Sequence, residues 1–280
     1  MEILRTVAEL RQWSRENRKN GKAIGLVPTM GALHAGHASL IRAARESCGS
    51  VAVSIFVNPT QFGPNEDFER YPRSFEADYA LAGVEGADVV FAPSVEELYP
   101  AGAATFVEVE GLSDRLDGQS RPGHFRGVAT VVAKLLIASE ADRAFFGQKD
   151  AAQVAVLRRM VSDLRFCTQI VVCPIVRERD GLALSSRNIF LSGAERKQAL
   201  VLSRVVWLVE AMVAGGERRV AVLIDAARRA FASEPGVLVD YIELVDWATL
   251  ERVETAEPRS LFAVAAWVGT TRLIDNTVLG

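Results

Sequence analysis

The sequence predicts an α/β protein: a doubly wound parallel sheet first, and a smaller α+β domain after it. Three observations carry that expectation. Short β-branched apolar runs alternate with helical stretches up to about residue 174, the pattern of a parallel sheet whose crossovers are helices. Beyond Pro174 come two long helical stretches and then three strand-like runs with no helix between them, as a small antiparallel sheet requires. The chain has 280 residues, 49% of them hydrophobic, enough to bury a substantial core in one large domain or two smaller ones.

The elements follow in order. Thr6-Val7-Ala8-Glu9 reads as a capping box opening a helix that runs to Asn20, where Gly21 stops it. Residues 23–27 (AIGLV) form a short strand, halted by Pro28. Residues 36–47 then suit a helix with Leu40, Ile41 and Ala44 on one side. Residues 51–57 (VAVSIFV) suit a buried parallel strand, and residues 89–91 (VVF) repeat that pattern after a polar helical stretch at 74–82. Residues 127–138 (GVATVVAKLLIA) are an apolar helix, 143–146 a strand, 151–164 a helix and 168–173 the last strand of the sheet. A Rossmann-like doubly wound domain is therefore assigned to residues 1–174. Helical stretches at 193–214 and 221–233 and strand-like runs at 239–245, 260–267 and 272–275 make up the second domain, residues 175–280. No internal repeat or low-complexity segment stands out.

Composition narrows the function. A net charge of −3, from 32 basic and 35 acidic residues, lacks the basic excess of a dedicated nucleic-acid binder, yet a local positive site still suffices for a small acidic substrate. The three cysteines (Cys48, Cys167, Cys173) are odd in number and without CxxC spacing, so a reducing cytoplasm is the simplest expectation. The N-terminal MEILRTVAELRQWSREN lacks the apolar stretch of a signal peptide, and no run of about 18 apolar residues suggests a membrane span.

Ligands of open parallel sheets bind beyond the carboxyl ends of the strands, and four polar clusters fall in such loops. The first is residues 29–37, ending in His34-Ala35-Gly36-His37. The histidines start a helix and share one face at i and i+3, where the macrodipole and free backbone N–H groups favour phosphate, and the glycine lets a nucleotide approach. A metal site would need further ligands, and His124 lies in an unrelated segment; ordinary structural histidines remain the other alternative. The second cluster holds Asn58 and Gln61, neutral amides suited to a carboxylate or hydroxyls, or else turn chemistry around Pro59. The third, Gly147-Gln148-Lys149-Asp150, sets a cation beside a carboxylate, suited to phosphate oxygens and hydrated Mg²⁺, though alone it equally describes a solvated turn. The fourth, Leu184-Ser185-Ser186-Arg187-Asn188, offers hydroxyls and a guanidinium, as many surface loops do. Residues 121–126 (RPGHFR) are either an anion contact or an exposed turn. Four such clusters after four strands of one sheet outweigh the separate alternatives.

Together these residues resemble the pantothenate synthetase family (pantoate–β-alanine ligases), within the nucleotidyltransferase superfamily that carries HxGH. The carriers are VPTMGALHAGH, SIFVNPTQFGPNEDFERYPR, FAPSVEELYP, SRPGHFRGV, FFGQKD, DGLALSSRN and AAWVGTTRLIDN, spread over essentially the whole chain. The resemblance implies that pantoate attacks the α-phosphorus of ATP·Mg²⁺ to give pantoyl adenylate and pyrophosphate, and that β-alanine then displaces AMP. Carried over residue by residue, it implies an ATP site of Met30, Gly31, Ala32, Leu33, His34, Ala35, Gly36, His37, Gly147, Gln148, Lys149, Asp150, Val176, Leu184, Ser185, Ser186 and Arg187. His34, His37, Lys149, Ser185 and Arg187 would be the catalytic set on the phosphates, with His37 as proton donor. Gln61 and Gln153 would hold pantoate, Gln61 would also border β-alanine, Asn58 and Arg121 would support, and Asp150 would stand nearest a Mg²⁺ held mainly by ATP. A homodimer is implied as well. A second domain that acts as a lid, carrying Ser185 to Asn188 onto the triphosphate, is expected because a loop near the domain boundary is well placed to exclude water from a hydrolysable adenylate. The chain departs from the family's pattern at Gln148, where relatives generally have Glu, and at Ala151-Ala152, where they have an aromatic–Gln pair; the first removes a charge beside the triphosphate and the second would open space near Gln153. The alternatives are a coenzyme nucleotidyltransferase that releases its nucleotidyl product intact, or a non-catalytic nucleotide- or RNA-binding module. The acidic balance does not support the RNA-binding alternative.

Overall fold

In the computed structural model, which describes residues 1–63 and 68–280, the chain is built around two sheets. The first part runs β1 (Glu2–Leu4), α1 (Val7–Lys19), β2 (Ile24–Thr29), α2 (Ala35–Ser47), β3 (Ser50–Ile55), α3 (Phe75–Val84), β4 (Val89–Phe91), the short α4 (Val95–Leu98) and α5 (Asp117–Ser120), α6 (His124–Ser139), β5 (Arg143–Gly147), α7 (Ala151–Asp163) and β6 (Gln169–Cys173). The rest runs α8 (Gly193–Ala199), α9 (Val201–Ala214), α10 (Val220–Ala232), β7 (Val237–Asp246), β8 (Ser260–Val268) and β9 (Thr271–Val278). Of the SIFVNPTQFGPNEDFERYPR motif, Pro64, Asn65, Glu66 and Asp67 lie outside the described residues.

The first sheet has six parallel strands in the order β1-β4-β3-β2-β5-β6. From β2 the chain steps outward through β3 to β4, then returns to place β5 on the other side of β2. The direction of winding therefore reverses between β2 and β5, the position where open α/β sheets form their crevice. The second sheet is a meander, β7-β8-β9, antiparallel throughout.

Three details differ from the sequence expectation. The edge strand β1 was missed: its three residues are too few for a period of two to show, and its register with Val89–Phe91 is a tertiary fact. Pro28 does not halt β2, which continues in register to Thr29 opposite Ile55. Proline removes only one donor, and next to it the Thr29 hydroxyl donates to the Ser54 carbonyl at 2.6 Å. The helical stretch at 193–214 divides at Leu200 into α8 and α9; Leu200 keeps a near-helical backbone (φ −62°, ψ −15°), so no glycine or proline marks the break.

The predicted capping box is present: the Thr6 hydroxyl accepts from Glu9 N at 3.2 Å while the Glu9 carboxylate accepts from Thr6 N at 2.8 Å. One side of the parallel sheet buries Leu26, Phe91, Phe125, Leu136 and Leu157, the other Val27, Ile41, Val53 and Phe145. α6 is buried over most of its surface, which explains its all-round apolar sequence. α9 and α10 close a second core against the meander through Leu202, Val206, Phe231, Phe262 and Val264. Val245, Leu250, Leu261 and Ala263 from the meander also enter the first core, so the two sheets share apolar packing. A partly buried polar cluster reinforces the contact. Arg272 reaches Asp117 Oδ1 and Asp240 Oδ2, each at 2.7 Å, and the Tyr241 hydroxyl donates to Asp117 Oδ2 at 3.3 Å. Among the described residues no helix is long and apolar enough to cross a membrane.

Candidate active site

The loop from β2 into α2 is held from within. His34 is the N-cap of α2, and its Nδ1 accepts from Gly36 N at 3.1 Å; His37, three residues on, accepts from His34 N through Nδ1 at 3.3 Å. Two imidazoles thus make a reciprocal capping box of the kind usually built from Ser/Thr and Glu. Their ring centroids lie 4.1 Å apart.

This arrangement narrows the expectation that the helix start offers free backbone N–H groups. His34 N and Gly36 N are taken by imidazoles, and Ala32 N and Leu33 N donate to the Asp78 carboxylate at 2.8 and 2.7 Å. With each Nδ1 accepting, a neutral ring carries its proton on Nε2, so each ring keeps an Nε2–H donor for an anion. Burial, and then the Lys149 ammonium, hold His34 down to about 4; burial, and then His34 and Lys149, hold His37 down to about 3. Both rings are neutral at pH 7. Gly36 also acquires a different reason: a Cβ there would stand 2.9 Å from His34 Cε1, so the glycine makes room for the folded-back ring.

Asp78 was missed. Its helix position looks like an ordinary first-turn acid, but the carboxylate is buried and holds a strained turn in which Ala32, a non-glycine residue, has φ +51° after Gly31 at φ +87°. Nothing local in the sequence distinguishes it.

The turn after β3 presents Gln61, 8% exposed, above Asn58, 1% exposed. Asn58 Nδ2 donates to Gln61 Oε1 at 3.2 Å and to the Gly127 carbonyl at 3.1 Å, while Asn58 Oδ1 accepts from the Tyr99 hydroxyl at 2.9 Å. Asn58 thereby orients Gln61. α6 can come this close only because residue 127 is glycine: a Cβ would lie 2.3 Å from the Thr60 carbonyl oxygen. His124 Nδ1 lies 2.8 Å from the Gln61 carbonyl oxygen and its Nε2 3.0 Å from Arg121 Nη1, so of the two alternatives for residues 121–126, an anion contact or an exposed turn, the position of His124 on the cavity wall favours the first.

After β5, Lys149 Nζ sits 3.6 Å from Asp150 Oδ1. The Gln148 side chain turns to Asn276, its Nε2 donating to Oδ1 at 3.4 Å, and Ala151 and Ala152 are buried in the core. Neither alanine borders the crevice, contrary to the expectation of open space near Gln153. After β6 the chain doubles back so that Leu184 N donates to the Val176 carbonyl at 2.9 Å. Ser185 then caps a short 3₁₀ turn, Ser186–Phe190, its hydroxyl accepting from Arg187 N at 3.3 Å.

Three adjoining cavities meet at Asp150 and Arg187. One is walled by Met30, His34, Gly36, His37, Gly147, Lys149, Val176, Leu184, Ser185 and Ser186. The second joins Asn58, Gln61, Arg121 and Gln153 to an apolar wall of Val131, Val132, Leu135 and Phe146. The third lies between Arg121, Lys149, Gln153 and Arg272. Gly31, Ala32, Leu33, Ala35 and Gln148 shape the loops without lining these cavities. Among the described residues no three or more His, Cys, Asp or Glu are grouped to hold a metal.

A doubly wound sheet, a crevice with cations and neutral imidazoles at its switch point, and an amide-lined pocket opening into it are the features of a nucleotide-binding α/β protein. The sequence matches the profile of the Pantoate-beta-alanine ligase family over residues 2–278, and the chain belongs to that family. It is 62% identical over 285 residues to the pantothenate synthetase of Acidobacterium capsulatum, covering 100% of this chain and 95% of that one. The crystal structure of pantothenate synthetase from Thermus thermophilus superposes with a TM-score of 0.94 at 45% identity, covering 99% of each chain. That of pantoate-beta-alanine ligase from Francisella tularensis, complexed with beta-gamma ATP and beta-alanine, superposes with a TM-score of 0.81 at 33% identity, covering 99% of this chain and 97% of that one.

Proposed function

We propose that this enzyme condenses pantoate with β-alanine at the expense of ATP, through pantoyl adenylate, and releases pyrophosphate and AMP. The observation that carries the reading is the meeting of an anion-compatible wall with a neutral amide pocket at Asp150 and Arg187, in a chain matched by the family from end to end.

ATP lies along Met30 to His37, Gly147 to Asp150, Val176 and Leu184 to Arg187. Pantoate lies between Gln61 and Gln153, whose amides bind an acid without repelling it or neutralising it. In the first step a pantoate carboxylate oxygen forms a bond to the α-phosphorus as the bond to the pyrophosphate oxygen breaks, and the electron pair leaves with pyrophosphate. Lys149, Arg187, the Ser185 hydroxyl and the Nε2–H groups of His34 and His37 face that growing charge. The protein's contribution is position and electrostatics, since it supplies no covalent nucleophile. In the second step the amine of β-alanine, beside Gln61, attacks the acyl carbon; AMP departs with the electron pair of the broken bond and the amine releases a proton. Asn58 and Arg121 act through Gln61.

The Asp150 carboxylate, half-exposed beside the phosphate wall, fits a Mg²⁺ held mostly by ATP oxygens and water. When bound, that ion neutralises phosphate charge. Residues 1–174 are the nucleotide- and pantoate-binding domain and 175–280 the lid, which brings Ser185 to Asn188 to the crevice and excludes water from the adenylate. The enzyme is a cytoplasmic homodimer.

The test is pantoate-dependent ATP–pyrophosphate exchange without β-alanine, then AMP and pantothenate when β-alanine is added. A stable nucleotidyl product that β-alanine does not consume would mark a coenzyme nucleotidyltransferase instead. Exchange that survives complete removal of divalent ions would exclude Mg²⁺, a monomer in sedimentation the dimer, and envelope fractionation the cytoplasmic location. Superposable crystal structures with and without an ATP analogue would exclude the lid.

A further inference from the structure

The segment TTRLIDN helps carry the family resemblance but has no role in the reading above. Most of it lies in β9, an edge strand of the meander, and a side chain of that strand reaches the turn after β5. Asn276, 3% exposed, sends both hydrogens of its carboxamide into that turn. Nδ2 donates to the Gln148 carbonyl at 3.0 Å and to the Lys149 carbonyl at 2.8 Å. We propose that Asn276 is the positioning residue of Lys149, holding both peptide planes that flank the lysine Cα. The inference rests on Lys149 contacting the ATP phosphates.

The two carbonyls belong to the two peptide units on either side of Lys149 Cα. Each unit is planar, so fixing both carbonyl directions fixes φ and ψ of Lys149 and with them the direction of its Cα–Cβ bond. Only a group with two N–H donors on one atom can serve two adjacent carbonyls at once; a hydroxyl has one donor and a carboxylate has none. The donor is itself held. Gln148 Nε2 donates to Asn276 Oδ1 at 3.4 Å, and Asn276 N donates to the carboxylate of Asp275 at 2.8 Å. Asp275 points to the other face of the strand, where Arg177 grips both its oxygens at 2.6 and 2.9 Å. Arg177 belongs to the segment between Val176 and Leu184 of the crevice wall. Adjacent residues of one strand therefore anchor two separate walls of the site, and a small displacement of a phosphate ligand is costly, on the order of 100-fold in rate for an ångström.

The experiment is pantoate-dependent ATP–pyrophosphate exchange by Asn276→Ala, Asn276→Asp and Asn276→Ser, each also made with Lys149→Ala. Expected are a KM for ATP raised roughly tenfold or more in Asn276→Ala and Asn276→Asp, a smaller rise in Asn276→Ser, and a KM for pantoate within about twofold of the parent. In the Lys149→Ala background the Asn276 substitutions should have no further effect on exchange. An unchanged KM for ATP in soluble Asn276 variants, or a loss that multiplies with that of Lys149→Ala, overturns the inference. A residue serving only the fold would lower the active fraction and leave both KM values alone, and that result overturns it too. If Asn276→Ala and Asn276→Asp do not fold, the KM for ATP of Asn276→Ser decides. Full activity of Lys149→Ala alone would instead sink the phosphate role of Lys149, a separate outcome.

Discussion

At the scale of single residues, the site depends on groups kept neutral or kept still. His34 and His37 spend Nδ1 on backbone N–H groups and keep Nε2–H for a ligand, and burial holds them near 4 and 3, below the ordinary 6.5. The consequence for stability has a definite sign. Below pH 6.5 the unfolded chain binds protons at these histidines that the folded chain refuses until about pH 4 and 3, so the stability they contribute is present above pH 6.5 and falls as pH drops through that window. Each histidine contributes a slope of up to about 1.4 kcal/mol per pH unit. Denaturant midpoints measured from pH 7.5 to 5.5 should fall, and fall less steeply in His37→Gln; parallel slopes would contradict the neutral assignment. His37→Ala should lower adenylation on the order of 100-fold or more while costing about 1 kcal/mol of stability from the lost cap. Loss of fold together with activity, read by calorimetry and pyrophosphate exchange, would return His37 to a structural role.

At the scale of elements, the amide pocket depends on how closely α6 approaches the turn after β3. Gly127 permits that approach, since a Cβ would fall 2.3 Å from the Thr60 carbonyl oxygen and 2.7 Å from Gln61 Cα, both backbone atoms that cannot swing aside. Gly127→Ala should therefore cost about 1–3 kcal/mol and tilt Gln61 away from Asn58. The kinetic signature is a raised KM for pantoate with the KM for ATP little changed, because the loops proposed to hold the phosphates follow β2, β5 and β6. An equal rise in both constants would contradict that division. Gly127 reads from the sequence as a small residue near the start of an apolar helix; its use depends on a turn some 66 positions earlier, Gln61, reaching the same place.

At the scale of the whole molecule, the two sheets are joined by shared apolar packing and by the cluster of Arg272 with Asp117 and Asp240. Burial raises the Tyr241 hydroxyl well above its ordinary range, so it stays protonated and donates to Asp117. Arg272→Met should cost about 2–3 kcal/mol in chemical denaturation, because the buried Asp117 and the partly buried Asp240 lose their shared guanidinium while keeping the Tyr241 and Ser120 hydroxyls. Replacing Arg272, Asp117 and Asp240 together by apolar residues should restore much of that stability. A triple variant as unstable as Arg272→Met would show that the cluster contributes more than the removal of its own unpaired charges.

The sequence by itself determined the fold class, the order of nearly all elements and the four loops that reach the crevice, because periodicity, capping boxes and polar clusters at strand ends are local properties. It also carried the family, through motifs such as HAGH and LSSRN that are contiguous. Tertiary structure alone decided what those loops rest on. Asp78, Asn58 and Asn276 are single polar residues whose partners lie 45, 69 and 127 positions away, and their burial gives them their force: away from water each unmade hydrogen bond is costly, so each fixes the group it holds. Tertiary structure also decided that the histidine pair caps its own helix, so that two of the expected free N–H groups are taken and two neutral Nε2–H donors are added.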